Sequence, residues 1–213
     1  MWANQNNAYF YHNDHQIKGL KMKLILSSCD FRNENSAACI IDNLPKPIAE
    51  CRVLFFPNEK SNEELISCGM YHQRLTEFGF NIENIYVFNY WDTEQFFHLD
   101  TDAIYISGGN TFGTLKRIRE CNADKLIVEH VKNGAVYIGG SAGAHIACTD
   151  ISHVSKFDTN TFGLSELSGL GLYDGMLICH YNEDRIGIFE ELRAEHGRKV
   201  TALTNDEFLI IEK

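Results

Sequence analysis

Proline is scarce in this 213-residue chain, three in all beside 16 glycines, and no basic run interrupts a sequence of formal charge −10. Low proline with ordinary apolar content argues against a low-complexity scaffold, a collagen-like chain and a disordered tail protein. Asp and Glu outnumber Lys and Arg by 29 to 19. That balance repels phosphate backbones and anionic lipid, so neither nucleic acid nor a membrane is the expected partner. No apolar run reaches the length of a membrane span, and the first twenty residues lack the basic start and apolar stretch of a signal peptide. Among seven cysteines there is no Cys-x-x-Cys pair, which excludes a zinc ribbon or a dithiol redox motif. Their odd number and irregular spacing argue for reduced thiols in a cytoplasmic protein rather than a secreted disulfide scaffold.

What is present divides into two parts. Residues 1–21 are polar and aromatic without periodicity and read as an N-terminal extension; His12 and His15 there have metal-like spacing but read as solvated. Residues 22–213 read as a single domain in which short apolar strands alternate with helical patterns. Strands are expected at 23–27, 52–57, 84–88, 103–106 and 135–139, and helices at 63–78, 114–121 and 123–132. Continuously apolar strands separated by helices predict an α/β fold with a doubly wound, mostly parallel sheet and helices on both faces. Toward the C-terminus, 176–180 reads as a strand, 183–196 as a helix, and 200–212 as a β-hairpin turning at Asn205-Asp206.

In open parallel sheets, sites form beyond the carboxyl ends of the strands. Two glycine-rich turns stand there. Gly139-Gly140-Ser141-Ala142-Gly143 matches Gly-x-Ser-x-Gly between a strand and a helix, the context that a nucleophile elbow requires. Small neighbours let the serine adopt a strained backbone, and the Ala142 N–H at the following helix start is placed to donate to an oxyanion. An ordinary small-residue turn is the competing reading. The second turn, Gly108-Gly109-Asn110, is suited to complete an oxyanion hole, whereas neither a dinucleotide fingerprint nor a Walker lysine is present. A serine nucleophile needs a base and an orienting group. His180 ends an apolar strand on the expected side, while His145 lies one turn beyond Ser141 and is badly placed as the base. For the acid, composition does not choose among Asp150, Asp158, Glu166 and Asp174; Asp158 is flanked by turn formers.

Ile-Ser-Gly-Gly-Asn-Thr-Phe at 106–112, Tyr-Ile-Gly-Gly-Ser-Ala-Gly-Ala at 137–144, Gly-Leu-Gly-Leu at 169–172 and Cys-His-Tyr at 179–181 occur in order. That series resembles the S51 serine peptidase family, which includes aspartyl dipeptidase (dipeptidase E) and cyanophycinase. The resemblance implies a class I glutamine amidotransferase-like (flavodoxin-like) fold, with serine at the elbow where amidotransferases carry cysteine. It implies Ser141 as nucleophile and His180 as base, with Gly109 and Ala142 near the oxyanion. It also implies an acid between them in sequence, for which Asp158 matches best by spacing, although the Asn-Asp-Met-Pro-like stretch of aspartyl dipeptidases is absent. Arg185 reads either as a clamp for a substrate carboxylate or as a helix-surface arginine.

The expectation is thus a serine peptidase that cleaves short peptides through an acyl-enzyme on Ser141, without metal or organic cofactor, with a homodimer left open. An α/β-hydrolase-type esterase shares the order Ser, acid, His, but only the last third of the chain follows Ser141. A non-catalytic binding domain on an amidotransferase-like scaffold is the alternative from a different class.

Overall fold

The computed structural model describes residues 21–213, so the extension read at 1–21 lies, apart from Lys21, outside the described residues. Five strands with near-continuous apolar sequence form a parallel sheet: β1 (Lys23–Ser27), β2 (Val53–Phe56), β3 (Ile85–Val87), β4 (Ala103–Ile106) and β5 (Val136–Gly140). Their order is β3-β2-β4-β5-β1, and β8 (Phe208–Glu212) closes the β1 edge antiparallel. Side chains alternate between two cores because the strand period is two. Leu24, Leu26, Leu54, Phe56 and Ile106 face one core, shared with α4 (Thr111–Glu120), α5 (Ala123–Lys132) and α6 (Ala142–Ile146). Ile25, Val53, Phe55, Tyr105 and Ile138 face the other, shared with α1 (Glu34–Asp42), α2 (Glu63–Ser67) and α3 (Met70–Glu77). Helices on both faces explain why these strands lack polar alternation. The mostly parallel, doubly wound α/β architecture is therefore as expected.

Three local expectations are corrected. The helix read over 63–78 is two helices, because Gly69 adopts φ +84° between them, a conformation open to glycine and costly for residues with a Cβ. The C-terminal hairpin is absent: β7 (Val200–Ala202) pairs parallel with β6 (Met176–Ile178), while β8 crosses to β1. The strand before His180 thus belongs to a separate two-stranded sheet and not to the main one. Ile178 and Val200 of this small sheet pack on Leu192 of α7 (Ile186–His196). Among the described residues, no helix is long and apolar enough to cross a membrane.

The turn between β7 and β8 sits beside the carboxyl end of β1. Buried Ser28 joins the two sheets there: its hydroxyl donates to the Leu203 carbonyl at 2.9 Å and accepts from the His180 N–H at 2.9 Å. Two edges of structure thereby converge on one point, beyond the end of β5.

Candidate active site

Ser141 follows β5 directly and has φ +50°, ψ −105°, a strained conformation for a residue with a side chain. The surroundings hold it there. Its N–H donates to the Ser27 carbonyl at 2.8 Å, and its own carbonyl starts α6 by accepting from the His145 N–H at 3.0 Å. All three glycines of the motif are required by close approach, a Cβ on Gly139 lying 2.8 Å from the Gly143 carbonyl. A Cβ on Gly140 would lie 2.6 Å from Asp30 Cβ and overlap the Asp30 carboxylate, and one on Gly143 would overlap the Ile106 carbonyl. The elbow helix therefore packs against the end of β4 at backbone distance.

His180 also has positive φ, +55°, and Ser28 fixes its N–H. Its Nε2 lies 3.0 Å from Ser141 Oγ, and its Nδ1 lies 2.7 Å from Asn205 Oδ1. With the amide oxygen as acceptor, Nδ1 carries the proton and Nε2 is left to accept from the serine hydroxyl. Serine, histidine and an orienting acceptor form one chain of hydrogen bonds. Asn205 occupies a tight turn in which the Thr204 N–H donates to Glu207 Oε2 at 2.8 Å and Asn33 Nδ2 donates to Asp206 Oδ1 at 2.6 Å.

The expected acid is corrected by this geometry. Asp158 does not reach the imidazole: its Oδ1 accepts from Asn110 Nδ2 at 2.7 Å and its Oδ2 from the Thr111 N–H at 2.9 Å. A carboxylate on the first N–H of a ten-residue helix meets an unpaired donor and the positive end of the dipole. The other acids considered are engaged elsewhere, Asp150 with Ser152, Asp174 with Lys199 and Glu166 with Ser168. Asn205 escaped the sequence reading because an Asn-Asp pair between two apolar runs signals a turn. Only the parallel pairing of β7 with β6 carries that turn to His180.

The turn after β4 lies against the elbow. A Cβ on Gly108 would come within 3.4 Å of Ser141 Cβ, and Gly109 is exposed beside it. Asn110 caps α4, its Oδ1 accepting from the Gly113 N–H at 2.9 Å. Ala142 is the first residue of α6, so its N–H has no acceptor within the helix. Arg185, read as either a substrate-carboxylate clamp or a helix-surface arginine, is engaged within the chain. Its guanidinium lies 4.6 Å over the Phe157 ring and donates to the Cys179 carbonyl, bracing the peptide before His180.

Electrostatics around the serine are set by burial. A cavity of about 170 Å³ opens beside Gly108, lined by Asp30, Arg32, Asn58, Arg74 and Tyr105. Arg32 Nε pairs with Asp30 Oδ1 at 3.1 Å, while its Nη2 stands 3.0 Å from the position of a Gly108 Cβ. Burial raises the Asp30 carboxyl above its ordinary value, and the Arg32 charge offsets part of that rise. Burial also pushes the Cys179 thiol up to about 12, which keeps this neighbour of His180 protonated and unreactive. His145 is held well below its ordinary pKa by burial and so is neutral. Its Nδ1 lies 3.2 Å from Thr111 Oγ1, and its Nε2 accepts from the Cys179 N–H at 3.4 Å. No group of three or more His, Cys, Asp or Glu suited to a metal occurs among the described residues.

The comparison with known proteins agrees with this architecture. The profile described as Peptidase family S51 matches residues 23–213. An uncharacterized peptidase of Listeria monocytogenes is 34% identical over 115 residues, covering 52% of this chain and 56% of its own length. Peptidase E of Citrobacter koseri is 50% identical over 85 residues, 38% of this chain and 35% of that one. The matched stretch thus spans about half or less of these curated relatives. A solved structure from Listeria monocytogenes EGD-e, described as a candidate Peptidase E, covers 91% of this chain and 98% of its own, with TM-score 0.69 at 23% identity. A peptidase from an acI-B1 Actinobacterium covers 91% and 84%, with TM-score 0.58 at 16% identity. At those identities the likeness of structures speaks for the fold, and the profile match, nearly the whole described chain, speaks for descent. This chain belongs to peptidase family S51.

Proposed function

We propose that the protein is a serine peptidase that cleaves short peptides through an acyl-enzyme on Ser141. The observation that carries this reading is the 3.0 Å approach of His180 Nε2 to the hydroxyl of a serine held at φ +50° on a strand-to-helix elbow. In this mechanism Ser141 Oγ attacks the scissile carbonyl while His180 Nε2 takes its proton. Asn205 Oδ1 keeps the imidazole oriented, and the Gly109 and Ala142 N–H groups receive the developing oxyanion. His180 then returns the proton to the leaving amine, and water, activated by the same imidazole, releases the acid. General-base transfer of this kind contributes roughly 10²–10⁴-fold, and one oxyanion donor on the order of 10²–10³-fold.

The cavity beside Gly108 is the proposed subsite for the acyl-side residue. Arg32 and Arg74 on its walls favour a carboxylate-bearing residue, a fork-shaped donor matching a planar acceptor. In this reading Arg32 and Arg74, rather than Arg185, hold the substrate carboxylate.

A second reading, a binding domain without turnover, draws on one observation: the imidazole contacts an amide and no carboxylate. Incubation with a panel of dipeptides and matched esters, with amino-acid release quantified for wild type and Ser141→Ala, separates the readings. Peptide turnover lost in the variant supports the peptidase. Ester turnover alone would favour an esterase. No turnover of either class, with saturable peptide binding, would favour the binding domain.

A further inference from the structure

We propose that Asn58 and Glu59, which follow β2, are positioning residues that clasp the Gly108–Asn110 turn and aim its Gly109 N–H at the oxyanion; the inference rests on the acyl-transfer reading of Ser141. A turn with two adjacent glycines has wide conformational freedom, so a donor placed on it is preorganised only if something else fixes it. Here both neighbours of Gly109 are tied from one side. Asn58 Nδ2 donates to the Gly108 carbonyl at 2.8 Å, and Glu59 Oε2 accepts from the Asn110 N–H at 2.9 Å. The same carboxylate oxygen accepts from Thr114 Oγ1 at 2.9 Å, one turn into α4. Gly109 itself rests against the clasp, because a Cβ there would lie 2.7 Å from Asn58 Cβ and 2.5 Å from Glu59 Oε2.

The clasp is itself anchored from behind. Arg117 of α4 donates through Nη1 to the Asn58 carbonyl at 3.2 Å and to the Ser61 carbonyl. Its guanidinium lies over the rings of Tyr90 and Trp91, 4.4 and 4.6 Å from their centroids. Tyr90 donates its hydroxyl to the Pro57 carbonyl at 2.6 Å. Residues 57–61 therefore form a braced loop, with two side chains reaching across to the turn that faces Ser141. Neither residue touches Ser141 or His180 in this arrangement, so both act through Gly109.

The test compares wild type, Glu59→Ala, Glu59→Gln and Asn58→Ala in dipeptide kinetics, in binding of a peptidyl boronic acid and in thermal unfolding. A boronate adduct on serine carries the tetrahedral oxygen that the hole must hold. Glu59→Ala is expected to lower kcat by about 10–100-fold, with KM within about threefold and boronate affinity weakened by the factor seen in kcat. Glu59→Gln keeps a carbonyl acceptor for the Asn110 N–H and should restore most of that loss. Asn58→Ala gives the same pattern and serves if Glu59→Ala does not fold. Unchanged kcat and boronate affinity in the folded alanine variants, even with a lower Tm, would overturn the clasp and leave the acyl-transfer reading intact. A wild type whose Ser141 forms no adduct would overturn both.

Discussion

Replacing Asn205 probes the least expected feature of the site, a neutral amide behind the histidine. The 2.7 Å contact from Asn205 Oδ1 to His180 Nδ1 is a neutral hydrogen bond at the protein surface. Asn205→Ala removes it and lets water take its place, so the loss is about 1 kcal/mol of orientation, or roughly fivefold to tenfold in kcat/KM. Asn205→Asp instead puts a charge next to the imidazole. At 3–4 Å and an effective dielectric between surface and bulk, the attraction to imidazolium is on the order of 1–2 kcal/mol. That attraction favours the charged imidazole over the neutral base. The acidic limb of the kcat/KM profile should therefore lie at higher pH in Asn205→Asp than in wild type. Activity of this variant would fall relative to wild type at pH 6 and match or exceed it at pH 8. The assay is dipeptide hydrolysis across pH 5–9 with unfolding temperature as control. An unshifted limb in Asn205→Asp, together with undiminished rates in Asn205→Ala, would refute the orienting role.

Other consequences follow from single contacts. Asp158→Ala should cost about 1 kcal/mol of stability through the lost α4 N-terminal contacts while leaving the pH profile of turnover in place; a shifted acidic limb would return Asp158 to the imidazole. Gly140→Ala should destabilise the fold by roughly 3 kcal/mol or more in urea titrations, because the new methyl overlaps the Asp30 carboxylate. His145 and His153 are both held below their ordinary value of 6.5 by burial. Below that pH the unfolded chain takes up protons that the native state refuses, so stability should fall as pH drops from 6.5, by up to about 1.4 kcal/mol per unit for each group. Urea unfolding at pH 7.5 and 5.5 reads this slope, and a flat response would contradict neutral buried imidazoles.

The legible parts of this protein are those encoded within a few residues. Apolar runs such as Leu54-Phe55-Phe56 and Ala103-Ile104-Tyr105-Ile106 can only be buried on both faces, which implies parallel strands under helices. The elbow glycines mark Ser141 because the Asp30 side chain at 140 and the Ile106 backbone at 143 leave no room for a side chain. His180 was legible as the end of an apolar segment, although the small sheet carrying it was not. Contacts that join distant segments stayed hidden. Asn205 meets His180 only because β7 turns away from β8, a choice that depends on which sheet each strand joins. Asp158 caps a helix that begins 47 residues earlier in the chain, and no local pattern distinguishes that role from orienting a histidine. Glu59, 51 residues before the Asn110 N–H it accepts from, gave no signal beyond an ordinary polar loop.

The central claim is that Ser141 is an activated nucleophile, and intact-mass analysis after reaction with a fluorophosphonate tests it most directly. Wild type should gain one phosphonyl group, mapped by peptide sequencing to Ser141, with a labelling rate that drops steeply in His180→Ala. Ser141→Ala should gain none. A stoichiometric adduct on another residue, or undiminished labelling of Ser141→Ala, would contradict the account.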